Sequence, residues 1–212
     1  MYALLGALEK ENLKHRVLVI LALSTGLRRG EIMGLEWKRI NFEQSTLEVS
    51  QAGQYIPGQG AFIKEPKNET SKRIIAIPPA VMALLKQYKA LQAEGRLKVG
   101  DLWQGSEHVF TTWDGRPGHP EWPSQWFPKF IKRHGLPPLP FHGLRHTSAT
   151  LMISQGAPLK NISSRLGHAN ISTTGDIYGH ALKSVDREIA NNMDSIFNGS
   201  GKEKGRKKGQ GI

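Results

Sequence analysis

Cysteine is absent from the 212-residue sequence, which excludes disulfides, thiolate metal sites and cysteine nucleophiles. Long apolar runs are absent too. The longest, Val17 to Leu23, spans seven residues, against the roughly 20 that a membrane-spanning helix needs. No signal-peptide pattern precedes it, so a cytoplasmic protein is expected. For the same reason Asn68-Glu69-Thr70, Asn161-Ile162-Ser163 and Asn170-Ile171-Ser172 read as chance matches to the glycosylation acceptor pattern. There is no internal repeat. Acidic residues are scarce: 18 Asp and Glu stand against 29 Lys and Arg, a net charge of +11. Such an excess favours a polyanionic partner, nucleic acid or an anionic membrane surface. Part of it is local, because Lys202, Lys204, Arg206, Lys207 and Lys208 against Glu203 give residues 199–212 a net +4 and leave +7 for the rest. That Gly/Lys-rich end is expected to be a disordered basic tail.

What remains, residues 1–198, suits one domain with a sizeable core. Helices are expected over 3–12 and 15–25, the second apolar on nearly all sides and closed by Gly26. Strands are expected at 46–51, 61–66 and 73–77, with Pro66 to Ser71 as the turn of a hairpin joining the last two. Residues 79–93 form an amphipathic helix on Val81, Leu84, Leu85, Tyr88 and Leu91. A short strand at 108–112 and a turn at 113–118 follow. Trp122, Trp126, Phe127, Phe130 and Ile131 then make a helical aromatic face, read as core rather than as a base-stacking platform. A last helix, 181–197, carries the stripe Leu182, Val185, Ile189, Met193 and Ile196, which packs on its own domain or on a neighbouring protomer. The fold class is α+β, mostly helical, with a small three-stranded antiparallel sheet.

Chemistry concentrates between residues 142 and 178. His142 and Arg145, three apart at a helix start, share one face and can address one anion. Pro158 opens a short helix ended by Gly167, so His168 is held at a rigid corner. Tyr178 lies on the segment that begins near Asn170. A phenol is normally protonated near neutral pH and is a weak nucleophile unless activated. Far upstream, Arg28 sits at the junction of two helices, where a guanidinium can be held with its fork of donors outward, and Glu31 can orient it. Taken alone, Arg28, Arg29 and Glu31 would read as an ordinary surface ion-pair cluster.

Together these positions resemble the tyrosine recombinases, or phage integrases: Thr25-Gly26-Leu27-Arg28, then His142-Gly143-Leu144-Arg145, then Leu166-Gly167-His168, then Tyr178. The likeness covers about residues 13–197. It implies a recombinase catalytic domain in which Arg28, Arg145, His142 and His168 stabilise a phosphodiester under attack and Tyr178 is the nucleophile, forming a 3′-phosphotyrosyl link. It also implies a general-acid lysine in a β-hairpin, for which Lys67 is the choice, flanked by Lys64 and Lys72. No cofactor and no metal are implied. The expected partners are double-stranded DNA and three further copies of the chain, a homotetramer on paired sites. The N-terminal core-binding domain of the family is expected to be absent from this chain.

His142 and His146 stand four apart, a spacing used by zinc sites, but without the intervening glutamate of a zinc protease. Two other functions compete with site-specific recombination: DNA relaxation of the type IB topoisomerase kind, and a DNA-binding module without turnover. Mere binding requires neither Tyr178 nor His168. Gly175, three residues before Tyr178, weakens its helix by roughly 1 kcal/mol relative to alanine.

Overall fold

The computed structural model of the chain describes residues 1–56, 58, 60–64, 72–168 and 170–197. Its centre is α2 (Leu13–Thr25), which begins where the Asn12 side chain accepts the His15 amide at 3.0 Å, a side-chain N-cap. Val17, Leu18, Val19, Leu21 and Ala22 are all buried, and the helix packs between α4 (Pro79–Val99) and α6 (Gly143–Ser154). Short α1 (Tyr2–Leu8) precedes it and α3 (Arg29–Met33) follows. α5 (Trp122–Arg133) turns Phe127 and Phe130 into the core while Trp126 stacks on His15 at 3.9 Å. The aromatic face is therefore core, as expected.

β1 (Ile40–Asn41), β2 (Thr46–Val49) and β5 (Arg73–Ala76) form an antiparallel sheet in that order. Leu47 stands opposite both Ile40 and Ile75, and these three buried side chains carry the sheet's inner face. A second sheet pairs β3 (Ala52–Ile56) with β4 (Gly60–Lys64). This corrects the expected strand order: β4 turns back on β3 and β5 finds β2, so 61–66 and 73–77 are not each other's partners. The two strands that pair are consecutive in the chain, with residues 57–59 between them. The turn at 66–71, with Lys67, lies outside the described residues. The strand expected at 108–112 is only two isolated bridges, Glu36 with His108 and Thr111 with Pro117.

α7 (Leu159–Leu166) and α8 (Ile171–Phe197) complete the fold. The two helices expected around Tyr178 are one element broken at that residue, whose φ of −109° and ψ of 16° leave the helical region. Of the stripe read on its C-terminal part, Met193 is exposed and the side chains of Leu182, Val185, Ile189 and Ile196 lie outside the described residues. Among the described residues no helix is long and apolar enough to cross a membrane. The result is a mostly helical α+β domain with a small three-stranded antiparallel sheet.

Candidate active site

Two helix ends meet at the site. Gly26 closes α2 with a φ of +68°, a region L-residues rarely adopt, and a Cβ there would fall 2.5 Å from Leu166 Cδ2. The chain turned by Gly26 carries Leu27 into the core and leaves Arg28 extended, at the N-cap of α3. Glu31, on the first turn of α3, accepts the Arg28 amide at 2.8 Å through Oε2 and Arg28 Nη1 at 3.1 Å through Oε1. One carboxylate thus fixes both the backbone and the side chain of Arg28.

The second end is that of α7. Gly167 N–H donates to the Ser164 carbonyl and His168 N–H to the Ser163 carbonyl, both at 3.1 Å, the paired bonds of a Schellman cap. The left-handed Gly167, φ +70°, leaves two successive carbonyls pointing outward. Arg145 Nη2 donates to Leu166 O at 2.8 Å and Arg28 Nη2 to Gly167 O at 2.9 Å. Cations are favoured at the negative end of a helix dipole, and here two of them share it. Arg145 also donates to Gly26 O at 2.6 Å through Nη1, tying the two ends together. It is 4 % exposed, and burial with the charge of Arg28 beside it pulls its pKa down to about 10.

His168 follows the cap, its Nδ1 2.8 Å from the hydroxyl of fully buried Thr174 on α8. Burial, then the charges of Arg145, Arg28 and Arg73, push its pKa down to about 4. A neutral imidazole is therefore the form near neutral pH, able to donate from one nitrogen and accept at the other. His142 precedes α6, and burial and its neighbour His146 lower its pKa too. The His142 and His146 rings lie 5.1 Å apart edge to face, and His146 is 5.7 Å from the Tyr178 ring. Tyr178 is buried with Ala149, Ile153, Ile162 and Leu166. That burial raises the pKa of its hydroxyl, while the charge of Arg145 works the other way.

The fold therefore brings Arg28, Glu31, Arg145, His168 and Tyr178 into one electrostatic neighbourhood, with His142 at its margin and His146 next to the tyrosine. Lys67 lies outside the described residues. Among those residues, no three His, Asp or Glu side chains converge as a metal-binding set. Sequence reasoning passed over Thr174, Arg165 and above all Arg73. Arg73 Nη1 and Nη2 donate to the two oxygens of Glu31 at 3.0 and 2.9 Å, and its Nε donates to Arg165 O at 2.8 Å. Its one sequence signal is alternation, since Arg73 and buried Ile75 share the inward face of β5.

Residues 1–184 match the phage integrase family. Over 206 aligned residues the chain is 35 % identical to a tyrosine recombinase XerC-like protein of Caldanaerobacter subterraneus subsp. tengcongensis, covering 89 % of this chain and 52 % of that protein. The ICEBs1 integrase of Bacillus subtilis is 29 % identical, covering 91 % of this chain and 52 % of its own length. The chain thus spans about half the length of the curated relatives it matches. Among solved structures, the Tn1549 transposon integrase in complex with transposon right end DNA superimposes with a TM-score of 0.76 at 23 % identity, over 90 % of this chain and 63 % of that one. The XerA recombinase does so with a TM-score of 0.68 at 23 % identity, over 91 % and 62 %.

Proposed function

The chain belongs to the phage integrase family, and from that membership we propose that it cuts and rejoins DNA at specific sites through a covalent tyrosyl intermediate, with residues 1–198 as the catalytic domain. The observation that carries this reading is the network of two guanidinium groups and a neutral imidazole at one helix end, with the charge of Arg145 acting on a buried phenol. These groups come from segments more than a hundred positions apart: Arg28 to Gly167 spans 139 residues and Arg145 to Gly26 spans 119. A module that only bound phosphate would not need them beside a tyrosine.

In the proposed reaction Tyr178 Oη attacks the scissile phosphorus, the 3′-phosphotyrosyl bond forms, and the bond to the 5′-oxygen breaks. Arg28 and Arg145 each keep N–H donors beyond those the protein carbonyls and Glu31 use, and these meet the charge that grows on the non-bridging oxygens. Neutral His168 donates to the same phosphate, and His142, whose lowered pKa favours the neutral form, adds a hydrogen bond or takes the proton that the Tyr178 phenol gives up. Lys67 protonates the departing 5′-oxygen, for which an amine whose pKa falls near other cations is suited. The bond energy stays in the phosphotyrosine, so a 5′-hydroxyl from another strand reverses the step and completes exchange. The partner is double-stranded DNA in the cytoplasm, and a homotetramer on two paired sites would perform the full reaction.

The test is a nicked suicide duplex carrying a candidate site, with covalent protein–DNA product scored on a denaturing gel. Wild type should give a shifted band and Tyr178→Phe none. A band that survives in Tyr178→Phe overturns the assignment of the nucleophile. Relaxation of supercoiled plasmid without site preference would move the reading to a topoisomerase.

A further inference from the structure

We propose that Arg73 is a positioning residue of this site, a clamp that holds the Arg28 segment and the His168 turn in register; the proposal rests on the functional reading above. All three of its guanidinium nitrogens donate to protein acceptors. The Nη pair grips both oxygens of Glu31 in a bidentate salt bridge whose two side chains are each 10 % exposed, a geometry that a fork of planar donors makes and a lysine does not. The same Glu31 oxygens hold the amide and Nη1 of Arg28. Burial pushes the Glu31 carboxyl up, but the bond and charge of Arg73, followed by Arg28, bring its pKa below the ordinary carboxylate value. Glu31 is therefore an anion shared by two arginines, and its orientation is set by the more buried of them.

The third nitrogen of Arg73, Nε, donates to Arg165 O in the last turn of α7. The next two carbonyls of that turn are the ones that receive Arg145 and Arg28. Gly167 is also fitted to the clamp, since a Cβ there would fall 2.7 Å from Arg73 Nη1. One side chain on β5 thus bridges the first arginine segment and the turn that presents His168, while addressing the reacting atoms only through them. Arg73 is also the first residue of β5, so it ties the strand that follows the Lys67 stretch to the same centre.

The experiment compares wild type with Arg73→Lys, which keeps the charge and loses the fork, on the full chain at a temperature where circular dichroism shows both folded. Hydrogen exchange at the Gly167 and His168 amides reads the clamp without requiring activity. Their protection should fall in Arg73→Lys while that of α2 stays unchanged. On the nicked duplex, single-turnover covalent-complex formation should slow by about 10- to 100-fold, the range found when outer partners of metal ligands are removed. Adding Arg73→Lys to Arg28→Lys should cost less than the product of the two single losses, because one acts through the other. Wild-type protection of Gly167 and His168 in Arg73→Lys, or fully multiplicative losses, overturns the clamp and leaves the functional reading standing. Reduced protection together with no covalent product from wild type supports the clamp and removes the functional reading instead.

Discussion

Arg145 is the residue on which the site turns, because its guanidinium is enclosed and spans two segments. Replacement by methionine would keep much of the volume but strand the carbonyls of Gly26 and Leu166, each costing roughly 1–3 kcal/mol when left unpaired and buried. Arg145→Met should therefore lower the urea midpoint clearly, beyond any effect on cleavage. Gly167→Ala should destabilise as well, by about 1–3 kcal/mol, since it forces a left-handed backbone on an L-residue and sets a methyl against Arg73. His168 makes a prediction about pH. Its folded pKa of about 4 lies below the ~6.5 of an unfolded imidazole. Between those values the unfolded chain binds more protons, so this residue's contribution is intact above pH ~6.5 and is lost as pH falls toward 4. Unfolding midpoints at pH 7.5 and 5 should differ less in His168→Asn than in wild type.

At the scale of elements, α8 combines a long helix with a break at Tyr178. Gly175 sits one turn before the break, and among the described residues a Cβ there would meet only Leu159 Cδ2 at 3.9 Å, an ordinary contact. Gly175→Ala should therefore raise stability by up to about 1 kcal/mol, measured by urea denaturation, and slow cleavage if the tyrosine segment must move. The helix ends were legible because their signals are local: Gly167 directly follows the last apolar residue of its helix, Gly26 comes three after Leu23, and both are left-handed caps. Strand pairing was less legible. Turn-forming residues occur at both 57–60 and 66–71, and composition does not say which closes a hairpin. β3, with the sequence Ala52-Gly53-Gln54-Tyr55-Ile56, lacks the alternation that announces a strand. Arg73 escaped for a deeper reason: its partners at 31 and 165 are brought to it by the sheet register and by α7, which no local pattern encodes.

For the whole molecule, charge is the property to test. With net +7 outside the tail and +4 within it, DNA binding should weaken steeply with salt, because each phosphate neutralised contributes about 0.9 to the logarithmic slope. Truncation before Gly199 should lower that slope by up to about 4 in a titration between 50 and 200 mM salt, while leaving the covalent chemistry of a bound nicked duplex in place. A slope unchanged by truncation would assign the phosphate contacts to the folded body alone. The hydrogen bonds from Arg28 to Gly167 and from Arg145 to Gly26 carry a consequence for the order in which the protein comes into being. A chain leaving the ribosome presents Arg28 well before its acceptor Gly167, 139 residues on, and Tyr178 follows both. A nascent or prematurely ended polypeptide thus holds Arg28 without Tyr178, so under the proposed mechanism cleavage would have to wait until synthesis has passed both halves of the centre.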